Sequence, residues 1–153
     1  MRQEDEYYMG LALAEARKAY LLDEVPIGCL IVKDDTVIAS AYNRKTLDNI
    51  ATYHAEIIAI EEACRTLKTW YLDDCTLYTT VEPCLMCTGA IIQARIPKVV
   101  YGTKNEAFGH LSKLEDAKIE IIPDILSSEC SKILTEFFRK QRLKNETKVA
   151  QPN

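Results

Sequence analysis

The stretch PIGCLIVKDDTVIASAY, residues 26–42, constrains the fold more than any other. Two β-rich runs flank Asp34-Asp35, which reads as the turn between them. The spacing predicts antiparallel strands near 26–33 and 36–42. Such a hairpin must bury at least one face, and the flanking sequence supplies helices. Residues 4–22 place Tyr8, Leu11, Ala12, Ala16, Ala19 and Tyr20 at helical spacing. A polar loop over 43–53 leads to a predicted helix over 54–67, with Ile57, Ile58, Ile60, Ala63, Cys64 and Leu67 as a broad apolar face. CTLYTT (75–80) reads as a third strand. Pro83 breaks it, and a helix starts near Cys84 and ends before Pro97. KVVYG (98–102) is a fourth strand, followed by an irregular stretch to about 116, a fifth strand over 118–122 and a last helix over 127–145. Strands alternating with helices predict an α/β layered fold on a sheet of about five strands.

A length of 153 residues suits one domain over 1–145, with 146–153 as a flexible tail. No apolar run reaches the roughly 18 residues of a membrane span. The start, MRQEDEYYMG, lacks a basic region followed by an apolar run, so no signal peptide is expected and the cytoplasm is the default. There the six cysteines read as thiols or metal ligands rather than a disulfide framework. The net charge of −4 argues mildly against a nucleic-acid partner, but residues 132–148 carry +4, which leaves −8 elsewhere. A basic C-terminal helix on an acidic body either touches phosphates or only complements its own dipole.

Cys84 and Cys87 form C-x-x-C at a strand-to-helix junction, where the helix dipole favours thiolates. Three readings compete: a dithiol redox centre, a structural zinc site, and a catalytic zinc. The redox reading gives no role to His54 and Glu56. A structural site needs a fourth ligand, and Cys29, Cys64, Cys75 and Cys130 each sit in or beside apolar patterns that suit small buried thiols. A catalytic zinc takes His54, Cys84 and Cys87 and leaves one position open for water. His54 and Glu56 point about 200° apart around a helix, yet both can converge beyond its N-terminal end. Glu56 then has the chemistry to move protons to and from that water.

The pairing of HAE at 54–56 with PCLMC at 83–87 resembles the H-x-E…P-C-x-x-C signature of zinc-dependent nucleobase and nucleoside deaminases. Finer phrases resemble the bacterial tRNA-specific adenosine deaminases: EVPIG at 24–28, YNR at 42–44, TLYTTVEPCLMC at 76–87, ARIPKVVYG at 94–102 and EFFRKQR at 136–142. The resemblance implies a three-layer, cytidine-deaminase-like fold with a mixed five-stranded sheet between helices. It implies a homodimer that binds a tRNA anticodon stem-loop across both subunits, with one Zn²⁺ per subunit held by His54, Cys84 and Cys87. It implies hydrolytic deamination of the wobble adenosine to inosine by a zinc-bound hydroxide, with Glu56 as the proton shuttle. Asn43 would bond the base edge, Ile27 would line its pocket, and the helix around Phe138 and Arg139 would lie near the RNA.

Two departures mark this chain. The segment 103–117 is short and lacks the family's Asn-His pair, which leaves His110 as its one histidine. Tyr53 precedes His54 where a small residue is usual. The competing functions are deamination of a free guanine- or cytosine-type base, favoured by the acidic body and short segment, and a catalytically silent zinc or RNA-binding subunit, disfavoured by Glu56.

Overall fold

A computed structural model describes residues 2–109 and 117–150, so His110 lies outside the described residues. The elements are α1 (Arg2–Leu21), β1 (Gly28–Lys33), β2 (Thr36–Tyr42), α2 (Lys45–Asp48), α3 (Ala55–Leu67), β3 (Thr76–Val81), α4 (Leu85–Gln93), β4 (Lys98–Thr103), β5 (Glu120–Ile122) and α5 (Ser127–Ala150).

The hairpin forms where Asp34 and Asp35 predict it, both with positive φ, 48° and 58°. That pair of left-handed residues matches the twist of the strands they join. The sheet runs β2-β1-β3-β4-β5. β1 pairs antiparallel with β2 and β3, whereas β3–β4 and β4–β5 are parallel, giving the expected mixed sheet.

Successive residues of each inner strand face opposite ways, as the two-residue period demands. Leu30, Val32, Tyr78 and Val100 pack with Met9, Ala12 and Leu13 of α1 and Cys130 of α5. Cys29, Ile31, Leu77 and Val99 pack with Ala55, Ala59 and Ala63 of α3 and Ile91 of α4. The chain is therefore a three-layer sandwich, with α1 and α5 on one face and α3 and α4 on the other.

Small residues set how closely the layers approach. Gly28 lies against the Ala12 carbonyl of α1, where any β-carbon would clash. On the other face, the fully buried stripe of α3 is Ala55, Ala59 and Ala63, and the predicted isoleucines flank it half-buried. α3 thus sits closer to the sheet than its larger side chains suggest.

Three boundaries differ from expectation. α2 falls inside the predicted polar loop. β5 starts at Glu120 rather than 118, because Lys118 takes a left-handed φ of 59°. α5 runs to Ala150, past the expected end at 145, through lysines, arginines and glutamates that favour helix without needing a core.

Candidate metal and substrate site

α3 and α4 begin at the same edge of the fold, and the residue at each start is a metal-ligand type. His54 is the N-cap of α3 (φ −75°, ψ 154°) and Cys84 the N-cap of α4 (φ −73°, ψ 176°). Neither side chain caps its own helix. Both turn away toward each other, so His54 Nδ1 lies 3.5 Å from Cys84 Sγ and 3.5 Å from Cys87 Sγ. The three donor atoms all fall within 4.8 Å of one another. Tetrahedral zinc with ordinary Zn–S and Zn–N bonds separates such N and S ligands by about 3.6 Å. Two thiols and an imidazole also suit zinc's borderline softness. The residues present fit the ion.

The thiols are electrostatically unlike. A hydrogen bond from Cys87 pulls the Cys84 thiol down to about 3, with His54 adding to the effect. The same bond and burial hold the Cys87 proton far above the usual thiol range. Coordination to a divalent cation deprotonates both thiols.

Glu56 lies in the first turn of α3, only 4% exposed, and its Oε1 has no hydrogen-bond partner among the described residues. Burial raises its proton affinity above that of an ordinary carboxyl, despite an opposing hydrogen bond within its own residue. A buried carboxyl with one oxygen unengaged, beside a metal-ligand cluster, is a candidate for proton exchange.

Beside the cluster opens a cavity of about 510 Å³. His54, Ile27, Asn43, Val81, Phe108 and Phe138 line it, with Lys45 and Lys104 also in the wall. Apolar walls with a few polar groups suit a flat heterocycle. Ile27, Asn43 and Phe138, to which the resemblance gives substrate contacts, all line this cavity. Arg139 is exposed and outside the cavity lining. Tyr53 is half-buried and also absent from that lining; the aromatic side chains there are Phe108 and Phe138.

Sequence reasoning missed four participants. Glu24, 2% exposed, accepts Leu47 N–H at 2.6 Å and the Asn43 amide at 3.5 Å. Glu82 accepts Asn105 N–H at 3.1 Å. Lys104 and Phe108 sit in the short segment after β4. The available signal was a nearby proline, two residues after Glu24 and directly after Glu82.

This fold and ligand cluster define a metal-dependent deaminase, and residues 3–142 match the family described as MafB19-like deaminase. The tRNA-specific adenosine deaminase of Streptococcus pyogenes serotype M1 is 40% identical over 148 residues, covering 92% of this chain and 86% of that protein. The enzyme of the same description from Bacillus subtilis (strain 168) is 40% identical over 151 residues, 94% of each chain. A solved structure from work on A-to-I editing by tRNA:A34 deaminases at the wobble position has a TM-score of 0.80 and 38% identity, covering 84% of this chain and 99% of its own. A guanine deaminase from Nitrosomonas europaea also reaches 0.80, at 26% identity, covering 86% and 83%. The chain belongs to the tRNA-specific adenosine deaminase family.

Proposed function

We propose that this chain hydrolytically deaminates the wobble adenosine of a tRNA anticodon to inosine. The observation that carries the reading is the His54, Cys84 and Cys87 cluster, with the buried Glu56 carboxyl two residues from His54 and its Oε1 unengaged, and with His54 itself in the wall of the cavity. Zinc bound there supplies Lewis-acid activation of a water, lowering its pKa toward roughly 7. Glu56 takes one proton from the attacking water and delivers it to ring N1, then takes the second proton from that oxygen once it is bonded to C6 and delivers it to the departing amine, as C6=O forms and the C6–N bond breaks. Burial suits it to that work, because a carboxyl with raised proton affinity accepts more readily. Ile27 and Phe138 pack against the base and Asn43 bonds its edge. Uncapped N–H groups at the start of α4 favour negative charge developing nearby. Arg139, Lys140 and Arg142, along α5, meet the RNA backbone.

The working unit in this reading is a cytoplasmic homodimer with the anticodon loop bound across both subunits. Leu85, 59% exposed, and Ile92, 38% exposed, leave α4 with apolar surface suited to a subunit contact. Among the described residues, no helix is long and apolar enough to cross a membrane.

A second reading, turnover of a free base, draws support from the equal TM-score of the guanine deaminase. One panel separates the two. The zinc-loaded protein is incubated with an anticodon stem-loop carrying adenosine at the wobble position, and in parallel with adenine, guanine, cytosine and their nucleosides. Inosine formed only in the RNA is expected. Turnover of a free base with none of the RNA overturns the proposal.

A further inference from the structure

We propose that Glu24 is a positioning residue for the substrate cavity, its buried carboxylate setting which end of the Asn43 side-chain amide is offered to the bound base. The inference rests on the deaminase reading above only in naming a base as the ligand.

Glu24 sits just past α1, where its own N–H donates to Ala19 O at 2.9 Å and Asp23 before it turns left-handed at φ 64°. The backbone is pinned, and the side chain is buried to 2% exposure. Oε2 accepts Leu47 N–H at 2.6 Å. Leu47 is the third residue of α2, whose own N-cap, Arg44, makes no side-chain capping bond. Glu24 therefore supplies from 23 residues away the cap that α2 lacks locally.

Its other oxygen, Oε1, faces Asn43 Nδ2 at 3.5 Å. An ionised carboxylate only accepts, so the nitrogen end of the amide must turn toward Glu24. Asn43 is otherwise held by its backbone N–H, which donates to Ile27 O at 3.1 Å. Its Oδ1 is buried with no partner among the described residues. Native structures rarely leave such an acceptor unmet, and Asn43 lines the cavity, so a ligand donor is its natural complement. An acceptor plus the second Nδ2 hydrogen is the pairing that an adenine edge meets with its amine and N7. A reversed amide would present the opposite polarity. Glu24 fixes the choice without being among the residues that line the cavity.

A carboxylate that merely capped α2 would cost the same whether or not Asn43 were present. The test is a double-mutant cycle on the zinc-loaded protein with Glu24→Gln, Asn43→Ala and the pair, read as kcat/KM on the stem-loop. Glutamine keeps the shape and can still accept from Leu47, so unchanged melting temperature verifies the fold. Glu24→Gln is expected to lower kcat/KM at least tenfold alone and less than threefold in the Asn43→Ala background. Equal factors in both backgrounds, or native-like activity of Glu24→Gln, overturn the inference. A ligand-free arm keeps its failure distinct from failure of the tRNA reading. In ¹⁵N spectra the Asn43 side-chain amide protons should exchange with solvent at least tenfold more slowly in the native chain than in Glu24→Ala. Equal exchange rates overturn the inference whatever the substrate proves to be.

Discussion

The Glu82 carboxylate fills the space that a β-carbon at Gly109 would occupy. Glu82 Oε1 also accepts Asn105 N–H, and Gly109 makes an isolated antiparallel bridge to Cys84. The wall that carries Phe108 is thereby tied to the first cysteine of the cluster. Gly109→Ala must push aside either a buried carboxylate or residues 105–109. We expect kcat/KM on the stem-loop to fall about tenfold or more, with a stability loss of about 1–3 kcal/mol by calorimetry. Gly10→Ala is the counterpart, because no atom lies within 4 Å of the added carbon. In the middle of α1 it should stabilise the chain by about 0.5–1 kcal/mol.

Glu56→Gln changes little in shape and removes the proton carrier. The variant should keep one zinc per chain by metal analysis while kcat falls by about 10²–10⁴. Near-normal turnover would reassign the proton transfers to another group.

Lys45 and Lys104 line the cavity, and neither forms an ion pair among the described residues. On the proposed function, both would meet phosphates flanking the target nucleotide. Lys104→Glu should weaken stem-loop binding, and the slope of log K against log salt should flatten by about 0.7 per lost contact. Fluorescence titration at several ionic strengths reads both effects.

Tyr78 donates to Asp5 at 2.9 Å, and both residues are buried. Burial first, then the hydrogen bond to Asp5, raises the phenol above its ordinary value of 10.0. A proton held more tightly in the folded state stabilises it fully below that ordinary value, and the stabilisation is lost as pH rises above it. Tyr78→Phe should cost about 1–3 kcal/mol near neutrality, because Asp5 loses its donor. The same variant should show a shallower loss of stability above pH 10, measured by urea titration across the alkaline range.

The elements with strong periodicity or turn chemistry were legible in the sequence: the hairpin around Asp34-Asp35, α3, α4 and the parallel strands. So was the ligand cluster, because His54 and the C-x-x-C pair carry their meaning in residue type and spacing. α2 was not legible. Four residues cannot display a helical period, and its cap comes from Glu24, a long-range partner that no local window contains. The cavity wall was half legible for the same reason. Ile27, Asn43 and Phe138 followed from resemblance, whereas Phe108 and Lys104 depend on how Glu82 and Gly109 hold the short segment after β4. Tyr53 is large for its position, but its backbone carbonyl is what the fold uses, accepting Arg44 N–H at 3.0 Å.

One economy of the fold lies in its helix starts. Position 54 opens α3 and position 84 opens α4, places where a serine or aspartate would normally satisfy the first free N–H groups. Both side chains are committed to the cluster instead. The ends of two helices on one face of the sheet are thus left for a single ion to anchor, so metal occupancy and local order become the same variable. Stripping the metal should fray residues 55–57 and 85–87 before the sheet loosens, a sequence of events visible in hydrogen exchange well below the melting transition.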